Sequence, residues 1–249
     1  MIKISNFGKN YNLLNSKNTF SVQNITLEVI PGQICGLLGP NGSGKTTIMK
    51  AICGFHYPTE GEILIDDNNG NLINVAERPE KARDFIGYVP EKSILPPEMT
   101  VYDFLDYAAS IHGINSSEKK RVLLSVINEC SLEKVLTKKI KTLSKGYSQR
   151  VSFAQAIIHN PPILILDEPV SGLDPAQIIQ MRKLINKMAE SKTVLLSTHL
   201  LQEVYSLCKT ICIISNGKIV ASGTEEEILK TSDCKNLEEA FMKLTTQSE

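Results

Sequence analysis

The sequence is short of the features that would commit it to several broad classes of protein. It has no charge imbalance, with 27 Lys plus Arg against 27 Asp plus Glu. Composition therefore supplies no general electrostatic reason to bind nucleic acid, and none is expected as a partner. No apolar run approaches the roughly 20 residues that cross a bilayer. The opening stretch turns polar at Asn6, so no secretory signal is expected there. Any action at a membrane would have to go through a partner. The six cysteines, Cys35, Cys53, Cys130, Cys208, Cys212 and Cys234, lack the paired spacing of a zinc site or a redox motif. Reduced structural thiols in a cytosolic protein are the expectation. Internal repeats and low-complexity tracts are also lacking.

What is present is an ordinary globular balance, 42% hydrophobic and 22% charged residues in a chain of 249. That length suits one large α/β domain, or such a domain with an inserted lobe. Ile2 to Ile30 alternates like strands around a polar loop, Asn12 to Asn18. Gln33 to Leu38 reads as a short apolar strand, and a helix is expected from about Lys45 to Cys53, stopped by Gly54. Glu62 to Asp66 reads as a strand, with a turn at Asp67-Asn68-Asn69-Gly70.

From Pro96 to Asn160 the pattern becomes amphipathic helix, with starts at Thr100/Asp103 and at Ser116-Ser117-Glu118. After Pro161-Pro162 strand and helix alternate again. Ile163 to Leu166 is continuously apolar, as in a parallel strand buried on both faces. Asp174-Pro175-Ala176-Gln177 should open a helix with an N-cap, a first-turn proline and a reciprocal Gln. Thr193 to Ser197 is a further strand, and Ser215-Asn216-Gly217 marks a hairpin.

The most specific motif is Gly39-Pro40-Asn41-Gly42-Ser43-Gly44-Lys45-Thr46, which matches G-x-x-x-x-G-K-[ST] between a strand and a helix. Its glycines let backbone N–H groups turn inward around a phosphate, and the following helix adds its positive end. Thr47 continues that phosphate-facing turn. Lys45 is suited to the β- and γ-phosphates of a nucleotide and Thr46 to ligating Mg²⁺.

Asp167 and Glu168 end the buried strand, at the edge where open α/β sheets bind ligands. Asp167 suits the Mg²⁺, through water, and Glu168 suits a general base for the attacking water. An apolar strand ending in Asp-Glu is common by itself and gains meaning from the phosphate loop. The strand from Thr193 to Thr198 delivers His199 to the same edge, where a γ-phosphate contact is expected. His56, His112 and His159 have no comparable context.

Leu143-Ser144-Lys145-Gly146-Tyr147 then precedes the carboxylate strand, and Ser171-Gly172-Leu173-Asp174 follows it. With the phosphate loop, the Glu91 loop and His199, these motifs stand in a fixed order. The chain resembles the nucleotide-binding subunit of ATP-binding cassette (ABC) transporters over nearly its whole length. The resemblance implies a phosphate-loop NTPase core with a mainly parallel sheet, an N-terminal antiparallel β subdomain and an inserted helical subdomain. It divides a single domain into a β subdomain and core at about 1–91, a helical subdomain at about 92–160, continued core at about 161–224 and a short helical tail at about 225–249.

It further implies a head-to-tail pair of ATPase subunits, identical or sister chains, with two ATP molecules between them. Tyr11 would stack on adenine, and Glu91 would sense Mg²⁺ and the transmembrane partner. Ser144 and Gly146, at the start of a helix, would face the partner's γ-phosphate. A separate permease would receive the subunit at the inner face of the cell membrane.

Three departures from the commonest family pattern stand out. Lys145 and Tyr147 replace a Gly and a Gln of the signature, Glu91 replaces a Gln, and no long C-terminal regulatory domain is expected, since Glu225 to Glu249 suits only a helix or two. Together these resemble the ATPases of two-component exporters of the drug-resistance and gliding type. The other reading is a soluble ABC ATPase acting on ribosomes or DNA, but those kinds usually carry two cassettes or a long coiled coil, and this chain has neither. A nucleotide sensor without catalysis would be expected to lack Glu168.

Overall fold

The computed structural model describes residues 1–11, 21–67 and 69–246. The loop expected at Asn12 to Asn18, Asn68 of the expected turn and the last residues of the tail lie outside that set.

Two sheets organise the chain. The first is four-stranded, in the order β2-β1-β4-β5, from β1 (Ile2–Asn10), β2 (Ser21–Val29), β4 (Glu60–Asp66) and β5 (Leu72–Asn74), and its pairings are antiparallel. The second is six-stranded, in the order β10-β9-β3-β8-β7-β6. Its members are β3 (Ile34–Leu38), β6 (Ile86–Val89), β7 (Ile163–Asp167), β8 (Thr193–Thr198), β9 (Thr210–Ser215) and β10 (Lys218–Gly223). All its pairings are parallel except the β9–β10 hairpin. Asn216 and Gly217 both take positive φ at that hairpin turn, as a two-residue loop between twisted strands demands.

The uninterrupted apolar run in β7 is explained by what covers each face. Ile163 and Ile165 pack with residues of the antiparallel sheet and of α1 (Lys45–Ile52). Leu164 and Leu166 point the other way, into a cluster with the helices that follow β6. Alternate side chains thus enter two different cores, so no polar face is left over. Each such burial is worth about 1.5–3 kcal/mol.

The helices of the second cluster include α3 (Val101–Ile111), α4 (Ser116–Glu129) and α5 (Lys145–Ile157). Thr100 caps α3 by accepting from the Asp103 backbone N–H at 3.1 Å. Asn115, not Ser116 or Ser117, is the N-cap of α4, and it makes no side-chain capping bond. α2 (Pro79–Arg83) leads into β6, and α6 (Pro175–Ala189) and α7 (Leu201–Leu207) flank β8. Asp174 caps α6 as expected, accepting from the Gln177 backbone N–H at 2.9 Å. The reciprocal half of that cap is not made, because the Gln177 amide group lies over Gly146. The tail forms α8 (Glu225–Ser232), closed by a capping box from Thr224 and Glu227, and α9 (Leu237–Thr246). Among the described residues no helix is long and apolar enough to cross a membrane.

Candidate active site

Parallel register places the chemistry. Leu38 stands beside Thr198, Ser197 beside Asp167, and Leu166 beside Val89. The carboxyl ends of β3, β8, β7 and β6 therefore lie side by side. They release, in that spatial order, the phosphate loop, His199, Asp167-Glu168 and the Glu91 segment.

The loop itself is built tightly. Gly39 has no room for a side chain, since a Cβ there would sit 2.4 Å from the Ile214 carbonyl oxygen. Gly42 and Gly44 take φ of 81° and 113°, a region that L side chains avoid. The hairpin turn braces the loop, with the Gly217 N–H donating to the Ser43 carbonyl at 3.0 Å. Ser43 Oγ is buried without a hydrogen-bond partner in the protein. A buried hydroxyl of that kind is costly unless a ligand pairs with it.

Lys45 is 6% exposed and folds its ammonium over the loop. Nζ donates to the carbonyls of Gly39 at 2.8 Å and Pro40 at 3.1 Å, and stands 3.8 Å from Glu168 Oε1. Burial pushes its pKa below the usual lysine range, while Glu168, Asp167 and Glu91 pull the other way. An arriving polyanion adds to the second effect, so the site is electrostatically suited to phosphate.

Asp167 and Glu168 have distinct surroundings. The Asp167 carboxylate accepts from Thr46 Oγ1 at 3.0 Å and from Ser197 Oγ at 2.6 Å. Glu168 holds φ at +49°, a strained conformation for a non-glycine residue. Its backbone N–H is pinned by two acceptors of one residue, Ser197 Oγ at 3.0 Å and Ser197 O at 3.2 Å. The Glu168 side chain meets His199 Nδ1 at 2.9 and 2.8 Å. A carboxylate can only accept, so Nδ1 is the donor. Ser197 is 0% exposed and ties both acids together. Sequence reasoning gives it no role, although a polar residue inside an apolar strand is a signal of one.

Asn41, Gly42, Gly44, Lys45, Thr46, Thr47, Glu91 and Glu168 line one cleft of about 350 Å³. Among the described residues no cluster of three or more His, Cys, Asp or Glu could hold a metal by itself. The adjacent Thr46 hydroxyl and Asp167 carboxylate do fit a small divalent cation whose other ligands are water and phosphate.

Ser144, Gly146 and Tyr11 are not among the residues that line this cleft. Ser144 and Gly146 sit at the N-terminus of α5, away from this cleft, where Ser144 caps the helix through the Tyr147 N–H. Lys145 lays its ammonium over Gly172. Tyr11 follows β1 and packs edge-on against His56 at 5.6 Å between ring centroids, with Lys9 over its ring.

The ABC transporter family profile matches residues 22–171. An uncharacterized ABC transporter ATP-binding protein of Synechocystis is 36% identical, the match covering 84% of this chain and 58% of that one. Nod factor export ATP-binding protein I of Burkholderia thailandensis is 34% identical over 84% of this chain and 68% of its own. The chain thus spans about three fifths to two thirds of the length of these relatives. Among solved structures, an ATP-binding subunit of an ABC transporter superposes with a TM-score of 0.85 at 31% identity over 98% of each chain. A dimeric ATP-binding cassette in a post-hydrolysis state, bound to ADP and Pi, gives 0.79 at 27% identity over 90% of this chain and 98% of that one.

Proposed function

This chain belongs to the ABC transporter family, and on that premise we propose that it binds and hydrolyses ATP with Mg²⁺ to energise a separate membrane permease. The observation that carries the proposal is the shared edge, where the phosphate loop, the two acids and His199 converge while the α5 N-terminus, through Gly146, lines a separate cleft. That end finds its use in a second ATPase subunit, with Ser144 and Gly146 covering the partner's nucleotide.

The residues divide the work. The backbone from Gly39 to Gly44, with Thr47 beyond it, cradles the phosphates, and Lys45 turns from the Gly39 and Pro40 carbonyls to the β- and γ-phosphates. Thr46 and Asp167 would hold the cation, with Glu91 at the cleft's rim. Bound there, the cation neutralises phosphate charge. Glu168 accepts the proton of the attacking water, its carboxylate aimed by His199 and its backbone fixed by Ser197. His199 also reaches the γ-phosphate, and Tyr11 supports the adenine. Closure of the dimer around two ATPs, and its release after hydrolysis, delivers the work.

The groove between core and helices, about 760 Å³ and lined by Phe55, Tyr88, Ile94 and His159 among others, is where the permease would dock. The subunit would then sit on the cytoplasmic face of the cell membrane. The Nod factor export relatives favour export as the direction.

Two measurements test the proposal. Glu168→Gln should lower ATP turnover by about 10²–10⁴-fold, as loss of a general base does, while ATP binding persists. Turnover near that of the unaltered chain would remove Glu168 from the role. Tagged protein recovered from detergent-solubilised membranes should bring a polytopic membrane protein in near-equal amount. Recovery with ribosomal or DNA-bound proteins instead would overturn the transport part and leave the ATPase.

A further inference from the structure

The segment that carries Glu91 and the helix that carries Gly146 are joined by a bond between side chains far apart in the chain. Ser93 Oγ donates to Gln149 Oε1 at 3.0 Å. Gln149 is 4% exposed, and the other end of its amide, Nε2, is buried with no partner. Exchanging the two ends of the amide does not help. The Ser93 hydroxyl can pair with either end and leaves the other unpaired.

For packing alone this is a poor residue to bury. Its buried neighbours on the same face of α5 are Gly146, Ser152 and Phe153, and an apolar side chain at Gln149 would avoid an unpaired amide. Its position supplies the reason for it. Gln149 lies about one turn into α5, below Ser144 and Gly146. Ser93 lies two residues past Glu91, which lines the phosphate cleft. The bond therefore ties the chain's own cleft to the surface it would offer a partner.

We infer that Gln149, held by Ser93, is a positioning residue that sets the α5 N-terminus against the Glu91 segment, so that Ser144 and Gly146 meet a partner subunit in one orientation. The inference rests on the dimer reading above. Neither residue touches the nucleotide; both act through Ser144 and Gly146. Without the bond, α5 keeps its apolar packing and the Arg150 contact with Gln180 of α6 but loses this tie to the Glu91 segment. Fewer molecules then present the turn in the orientation that closes. The apparent affinity of closure falls by that fraction in each protomer.

The test uses the full chain carrying Glu168→Gln, so that ATP is retained. Sedimentation equilibrium with ATP measures dimer closure, and a fluorescent ATP analogue, at protein concentrations below dimerisation, measures binding to the single subunit. Adding Ser93→Ala should leave single-subunit binding within about twofold. A neutral hydrogen bond lost in each protomer should weaken closure by about fivefold per bond, hence about 25-fold per dimer. Ser93→Thr, which keeps the hydroxyl, should restore closure.

Unchanged closure in Ser93→Ala overturns the inference. So does an equal loss of single-subunit binding, or no rescue by Ser93→Thr, because either marks ordinary packing. If the Glu168→Gln parent itself stays monomeric with ATP, a dimer of identical chains fails, and this inference, made for that dimer, falls with it.

Discussion

Ser197→Ala should damage the fold and the chemistry together, and the size of the damage follows from the bonds that the hydroxyl makes. Ser197 Oγ donates to Asp167 Oδ1 at 2.6 Å and accepts from the Glu168 N–H at 3.0 Å. The first bond is charge-assisted and buried, worth about 1.5–3 kcal/mol. Losing the second costs less, because the Glu168 N–H keeps the Ser197 carbonyl as a second acceptor. Asp167 keeps Thr46 as a donor, which limits the loss further. A destabilisation of about 2–3 kcal/mol follows, or about 5–10 °C in Tm for a chain of this size.

Urea unfolding should show the midpoint falling at constant slope. Turnover should fall at least tenfold, since a strained Glu168 with a weaker anchor no longer holds its carboxylate in place. A change below about 0.5 kcal/mol, with turnover within twofold, would refute Ser197 as the organiser of the two acids.

Three other outcomes are expected. Arg182 pairs with the nearly buried Glu203 through two bonds, at 2.6 and 3.2 Å, and so clamps α6 to α7. Arg182→Met should cost about 3 kcal/mol by stranding that carboxylate, and adding Glu203→Gln should recover much of the loss. Simple additivity in the double-mutant cycle would show that the pair does no work. His159 stacks on His112 at 3.8 Å between ring centroids, and burial, with the neighbouring His112, pushes its pKa from 6.5 to about 4. The unfolded chain then takes up the proton first, so the stability is intact above pH 6.5 and is lost as pH falls toward 4. With His159 only partly buried as a residue, about 1 kcal/mol should go between pH 7 and pH 5. His159→Phe should flatten that slope, and an equally steep slope in the variant would assign it to other groups. Lys45→Ala should weaken ATP binding itself at least tenfold, because its ammonium is the cation at the centre of the cleft. An unchanged fluorescent-nucleotide titration would contradict that.

The parts of the fold that depend on neighbours along the chain are legible in the sequence. The phosphate loop declares itself because glycine, lysine and threonine at that spacing have few other uses between a strand and a helix. The apolar run of β7, the Gly54 stop and the Asn216-Gly217 hairpin likewise follow from local backbone and burial rules.

Other features rest on residues distant in the chain. Nothing local says that Ser197 faces Asp167, since that depends on β7 and β8 pairing in one register. Nothing local turns Gln177 from its own helix cap toward Gly146, or pairs Ser93 with Gln149. Arg182 with Glu203 and His112 with His159 are of the same kind, each looking like a surface residue until two elements are packed together. Spacing and residue type were enough to pick out the candidate residues that the strand ends bring to one edge, and which strands are buried. How the acids are held, and how α5 is tied to the Glu91 segment, came from the packing of distant elements. Hydrogen bonds between side chains depend on distance and direction in space, and sequence separation does not encode either.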